Sequence, residues 1–455
     1  MKTISYLFFC WGLLLFTACE SLIDVKYPTN QLGTPQVFED VQTANAALAN
    51  IYSLLRDQSL LSGGSFNGVG SRLGSYADEL DYYTFDQNGN MDIYQNQIQE
   101  SNTSISNVWN FSYQQIYYAN AVIYGVEQST ALSGNDKNRI KGEALLLRSL
   151  LYFYLQQLFG DIPYTTSLDY EYNRTIAKTE DATLLTLLER DVTEAVTLLG
   201  DDYRNEERIY PNRKVAQLLL ARIYLLQEEW LLGEEVLENI LQSPLYQYEP
   251  DINEVFHKSG KHILWQLKPQ NSGDATSEVP FYYFVNSAPP NYALTQDLVD
   301  AFASNDLRKQ EWIAEITVNG QSWYRPDKYK NRQNNTNEYS IVFRLEEVYF
   351  MMAEVLARQN RMDNAIPYLN ASRERAGLTP FTSLPEEEFY NELMAEKRRE
   401  FFVEFGHRFF DLKRWGRLGE LSVMKPNWED YKQVWPLPQS ELLMNPNLYP
   451  QNSGY

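Results

Sequence analysis

The chain is poor in the residues that most often carry chemistry. It holds 2 cysteines and 3 histidines in 455 residues. The histidines, His257, His262 and His407, form no pair at metal-ligand spacing on a helix, so neither a metal nor a cofactor is expected. Gly-x-Ser-x-Gly, a phosphate-cradling glycine loop and His-Glu-x-x-His are all missing, which removes the commonest signatures of esterases, nucleotide-binding proteins and zinc proteases. Cations are scarce as well. With 39 Lys and Arg against 60 Asp and Glu, the net charge of −21 argues against nucleic acid or an anionic membrane surface as partner, since both demand clustered positive charge. The one marked apolar run, Ile4 to Phe16, is shorter than the roughly 20 residues of a membrane-spanning helix.

That run follows Met1-Lys2 and ends in Thr17-Ala18-Cys19, the layout of a secretory leader with a basic start, an apolar middle and small residues at the cut. Leu15-Phe16-Thr17-Ala18-Cys19 is similar to a bacterial lipobox, with Phe16 where an aliphatic residue is usual. Residues 1–18 are therefore expected to be removed and Cys19 to be lipidated. Cys10 would leave with the leader, so Cys19 would be the mature chain's only thiol and no internal disulfide could form. Two or more acyl chains give stable anchoring where one does not. Residues 19–34, with Pro28 and no clear period, read as a tether.

Residues 35–455 are expected to form one mainly α domain. A composition 44% hydrophobic can build a substantial core. Helical periodicity starts near Val41, where Ala44, Ala47, Leu48, Ile51 and Leu55 share a stripe, and returns over Val108–Glu127, Ile140–Leu158 and Leu184–Leu199. Two helix pairs follow, one within 213–243 and one within 344–377. Setting Ala221 over Ala353, Gly233 over Ala365 and Leu237 over Leu369 aligns them, a pattern suggesting tetratricopeptide-like hairpins that are not tandem. A last helix begins after Pro385, and Gly406 is read as its close. Segments 59–100 and 246–340 lack this period. In the first, Gly63, Gly64, Gly68, Gly70 and Gly74 are expected to break any helix; in the second, His262–Leu267 and Val279–Val285 read as short strands.

Three segments carry a resemblance: Gly142 to Pro163, containing Arg148, Tyr152 and Gly160-Asp161-Ile162-Pro163; Glu396 to Gly416, containing Arg398-Arg399-Glu400, Gly406-His407-Arg408 and Asp411-Leu412-Lys413-Arg414-Trp415; and Trp435 to Tyr455. Together they resemble the SusD/RagB family of Bacteroidetes outer-membrane lipoproteins. The resemblance implies an α-helical body with tetratricopeptide-like units, a loop-rich ligand face and few strands. It also implies a lipid-anchored, surface-exposed protein of the outer membrane that captures oligosaccharide and closes as a lid over a SusC-like TonB-dependent barrel. Oligopeptide is the alternative ligand. A glycosidase is a third reading, motivated by Asp78-Glu79 and the acidic loop to Asp92, although no catalytic activity is expected.

The signature Arg and Glu residues look structural, with Arg148, Arg398, Arg399 and Arg408 standing among Glu396, Glu400, Glu404 and Asp411 at helical spacing. Trp109 is read as packing. Ligand contact is expected from the irregular segments: Tyr82, Tyr83 and Tyr94 as stacking rings, Asp86 and Asn88 as hydroxyl acceptors, and Tyr283 and Trp323 from the second segment. The anchor is tested by Cys19→Ala, which should release the protein from the membrane fraction; a variant that stays membrane-bound and surface-exposed contradicts it.

Overall fold

The computed structural model describes residues 34–62, 68–84 and 89–455. The leader, Cys19 and the tether as far as residue 33 lie outside them, as do Asp86 and Asn88. The expected helices are present with ends shifted by a few residues. Asp40 caps Val41–Asp57 by accepting from the Gln42 and Thr43 amides at 3.1 and 3.2 Å, and Ala44, Leu48, Ile51 and Leu55 are fully buried on its inner stripe. Asn102 caps Thr103–Gln128 in the same way. The next helix, Gly134–Phe159, is buried at every position from Gly142 to Phe159 and runs through the middle of the body. Asp181–Leu198 packs against it, with Arg148 and Asp191 paired at 2.5 Å across the contact. No helix among the described residues is long and apolar enough to cross a membrane.

The two aligned hairpins are Arg213–Leu226 with Trp230–Leu241, and Leu345–Arg358 with Met362–Arg375. Though distant in sequence they stack in space: a Cβ on Gly233 would stand 3.1 Å from Leu225 and 3.5 Å from Val355, so the small residue permits the close approach. Gln359 and Arg361 both reach Glu234, at 2.8 and 2.5 Å, across the junction.

The strands are β1 (Leu80–Tyr82), β2 (Ile263–Leu267), β3 (Gly273–Asp274), β4 (Tyr292–Leu294), β5 (Ile313–Val318), β6 (Gln321–Pro326), β7 (Gln333–Asn335) and β8 (Ser340–Arg344). β1, β4, β6 and β5, in that order, form an antiparallel sheet, while β2 pairs with β8 and β3 with β7. A second apolar cluster, including Leu80, Phe256, Tyr292, Leu294, Trp312 and Phe402, lies under the four-stranded sheet.

Three local expectations are corrected. Gly70 and Gly74 do not break a helix: Val69–Tyr76 is helical and wholly buried, and tertiary packing overrides propensity there. A Cβ on Gly74 would stand 3.0 Å from Leu80, so the glycine lets β1 lie close to this helix. Val279–Tyr282 is a helical turn, not a strand, with Pro280 in its first positions. Gly406 does not close the Glu386–Phe401 helix; with φ of 75° it precedes and opens His407–Arg414.

Helices and sheet meet at a buried ionic cluster. Arg308 pairs with Asp306 and Glu396, each at 2.8 Å; Arg344 with Glu400 at 2.5 Å and Glu404 at 3.0 Å; and Arg375 with both Glu346 and Glu400. Burial alone would raise the Glu400 carboxyl, but the Arg375, Arg344 and Arg308 charges hold it well below its ordinary 4.5. Glu346 and Glu396 are shifted the same way. The stability these carboxylates contribute is therefore complete above about pH 4.5 and lost as pH falls through the lower folded values. Removing one partner of such a pair leaves an uncompensated buried charge. Arg375→Met is expected to lower the unfolding free energy by roughly 3 to 5 kcal/mol in denaturant titration, whereas Arg56→Ala, at a partly exposed pair with Asp57, should cost about 1 kcal/mol or less.

Candidate functional site

Side chains alternate along a strand, so the register of the four-stranded sheet sorts the aromatic residues by face. Leu80 lies opposite Leu294, and Leu294 opposite Tyr324, so these three share the face turned to the second core. Tyr82 and Tyr292 are on that face too, their rings 4.8 Å apart, and Tyr82 is only 6% exposed. Asp81, Tyr83 and Trp323 fall on the other face. The Trp323 indole lies beside the Tyr83 phenol, and Tyr83 is 40% exposed. Its backbone amide bonds Asn291 O at 2.8 Å, continuing the β1–β4 ladder one residue beyond the strand.

Tyr94 joins this face from the Asn90–Tyr94 helix. Its hydroxyl donates to Asp81 at 3.1 Å, and burial together with the Asp81 charge pushes the phenol up to about 12. Lys425 lies beneath it, Nζ 4.1 Å from the ring centroid, and donates to the Ser75 and Tyr94 carbonyls at 2.6 and 3.1 Å. Burial draws this ammonium down to about 8. Asp78, Asp81, Tyr94, Gln97, Lys425 and Asn427 line a cavity of about 360 Å³ beside the aromatic face.

The sequence-expected residues thus separate. Tyr83, Trp323 and Tyr94 come together; Tyr82 turns into the core, because the residue after it in the strand faces the other way. Tyr283 stands elsewhere, partly exposed, with the Arg325 and Arg332 guanidinium carbons each 4.0 Å from its ring centroid. The two guanidiniums, Arg325 foremost, lower its phenol, so this ring is occupied by cations. Asp86 and Asn88 fall outside the described residues. Sequence reasoning missed Asp81 and Lys425 as site residues. Asp81 carried a signal, the two-residue spacing to Tyr83; Lys425 carried none.

The acidic pair behind the glycosidase reading is engaged elsewhere. The Asp78 carboxylate accepts from Arg408 at 2.7 and 3.0 Å and is ion-paired with Arg398 at 3.3 Å. Burial opposes ionisation, yet those guanidiniums hold its carboxyl below the usual range. Glu79 is 2% exposed and accepts the Val403 amide at 3.1 Å; burial first, then the Asp78 charge, raises it to about 7. A nucleophile or acid needs an open approach to substrate. Neither carboxyl has one free of these partners.

Trp109 is 3% exposed, its ring edge-on to Phe159 at 5.2 Å, consistent with packing.

The chain is thus a helical scaffold that carries an aromatic, polar-rimmed face on a small sheet. Residues 26–225 match a family profile described as "Starch-binding associating with outer membrane", and residues 312–433 match the SusD family profile. A SusD-like protein of Formosa agariphila is 26% identical over 433 residues, spanning 77% of this chain and 80% of that one. Among solved structures, a SusD superfamily protein from Bacteroides vulgatus superposes with a TM-score of 0.80 at 22% identity, covering 91% of this chain and 99% of the other. Surface glycan-binding protein A from Bacteroides thetaiotaomicron, solved in complex with laminarihexaose, gives 0.77 at 18% identity over 90% and 99%. The chain belongs to the SusD family.

A carboxyl raised in the folded state destabilises it as pH rises from 4.5 through the folded value, because folding opposes ionisation. Glu79→Gln, which mimics the protonated acid, is therefore expected to unfold with a free energy up to about 3 kcal/mol above that of the unsubstituted protein at pH 8. The difference should vanish near pH 4.5, as read by denaturant titration at the two pH values.

Proposed function

We propose that this protein captures oligosaccharide at the outer surface of the outer membrane, held there by lipid on Cys19, and acts as lid for a SusC-like TonB-dependent barrel. The observation that carries the binding reading is the Tyr83–Trp323 pair, neighbours on one face of the sheet and partly open beside a polar cavity. Sugar rings present apolar C–H faces and hydroxyl edges. Aromatic rings meet the first, while carboxylate, amide and ammonium groups such as Asp81, Asn427 and Lys425 meet the second.

The relatives support the ligand class: one similar structure is described as a laminarin-binding SusD-like protein, and another holds laminarihexaose. The lid role and the barrel partner rest on family membership together with the leader and Cys19. A lid that swings must stay beside its barrel, and residues 19–34 would serve as its leash. Energy for import would come from the TonB system and not from this chain.

Calorimetry on the full mature chain with laminarihexaose and maltohexaose tests the reading. Truncating an aromatic anchor at the centre of an interface costs about 2 kcal/mol or more, so Tyr83→Ala and Trp323→Ala should each weaken binding about 30-fold. Unchanged affinity in both variants contradicts the placement of the site. Binding of oligopeptides with none of sugar would transfer the same role to peptide capture, and hydrolysis products on incubation would be needed to revive a glycosidase.

A further inference from the structure

A groove of about 720 Å³ runs along the Thr103–Gln128 helix, sharing no lining residue with the cavity beside the four-stranded sheet. Its floor is one face of that helix. One wall is the 163–176 segment, and the other is the short Gln439–Met444 helix. The walls are fastened to the floor and to each other. Tyr113 donates to Pro163 O at 2.7 Å, Asn120 to Thr165 O at 3.0 Å and Asn445 to Ile176 O at 2.8 Å. The concavity is preformed, so a ligand need not pay to order it.

Two rings stand open in it. Tyr117 on the floor is 46% exposed and Tyr170 on the wall 72%, and with Met444, 68% exposed, they gather apolar surface into one concavity, the kind of patch that marks a binding site. Asn110 lies two turns before Tyr117 on the same helix face, and Glu441 faces it from the opposite wall, supplying amide and carboxylate groups for hydroxyls. Charge narrows the occupant. Arg174, itself 3.4 Å from Glu171, and Glu441 are the lining's only fully charged residues, so the groove is close to neutral on a chain of net charge −21. Phosphate or acidic ligands find no cationic cluster here.

We infer that this groove is a second carbohydrate-binding site, taking a neutral oligosaccharide with sugar rings stacked on Tyr117 and Tyr170 and hydroxyls bonded to Asn110 and Glu441. The inference is independent of the sheet face, because the two sites share no residue and each can be removed alone.

Native mass spectrometry and calorimetry on the full mature chain with laminarihexaose and maltohexaose read the stoichiometry. Tyr117→Ala/Tyr170→Ala changes only exposed side chains, and an unchanged melting temperature will show that it folds. The unsubstituted protein is expected to take two equivalents of at least one of these sugars. The Tyr83→Ala/Trp323→Ala variant should keep the groove equivalent, and Tyr117→Ala/Tyr170→Ala should weaken that equivalent at least tenfold. Retention of the groove equivalent with loss of none at the sheet would sink the first site and leave this one standing. A maximum of one equivalent that disappears with Tyr83 and Trp323, no sugar bound at all, or two equivalents unaffected by the Tyr117/Tyr170 change overturns the proposal; in each case the open rings would be left as a protein-docking surface.

Discussion

The buried cluster of Arg308, Arg344 and Arg375 with Asp306, Glu346, Glu396, Glu400 and Glu404 is the constraint on which the rest of the structure depends. These side chains are at most 10% exposed, so each charge has given up water and must be compensated within the protein. The cost of leaving any one unpaired fixes where three pieces of chain lie relative to one another: β8 with its following hairpin, the Glu386–Phe401 helix, and the turn at Asp306 ahead of β5. Apolar burial holds these pieces together without choosing among nearby registers. Ion pairs with defined geometry do choose.

From that cluster the order passes to the Tyr83–Trp323 face through a short and unusual stretch. After Phe401 the chain turns with Val403 and Phe405 at φ of 56° and 44°, a left-handed conformation that a β-branched residue rarely adopts. Lys328, buried beneath, donates to the Glu400 and Phe402 carbonyls, each at 2.9 Å, and to Glu404 at 2.5 Å, and so holds the turn from within. The Val403 amide then reaches Glu79, while Arg398 before the turn and Arg408 after it grip Asp78. Asp78 and Glu79 immediately precede β1, which carries Asp81 and leads into Tyr83. The signature segment from Glu396 to Gly416 thus shapes the Tyr83–Trp323 face without lining the cavity beside it.

Much of the scaffold was legible because helical burial writes a 3.6-residue period into the chain, and the two hairpins could be aligned residue by residue through Ala221 and Ala353, Gly233 and Ala365. The ionic cluster was only half legible. Arg399 and Glu396 are three residues apart on one helix, but Arg344, Arg375 and Arg308 lie 25 to 88 residues from the carboxylates they meet on the Glu386–Phe401 helix, a separation no local period records. At the face of the four-stranded sheet the difficulty was finer. Tyr82 and Tyr83 are chemically alike and adjacent, and a strand of three residues decides which becomes core and which stays open. Lys425 reaches Tyr94 across 331 residues, and nothing near either one announces it. Gly70 and Gly74 misled for a related reason, since their helix is held by burial that local propensity does not see.

A crystal structure of the mature chain with laminarihexaose bound tests the placement of the sugar on the sheet face. The fold and site described here predict a sugar ring lying across Tyr83 and Trp323, hydroxyls turned toward Asp81 and the cavity beside Tyr94, and the Asp78–Arg408 pair intact beneath. A structure in which laminarihexaose is bound while the Tyr83–Trp323 face stays bare would contradict it.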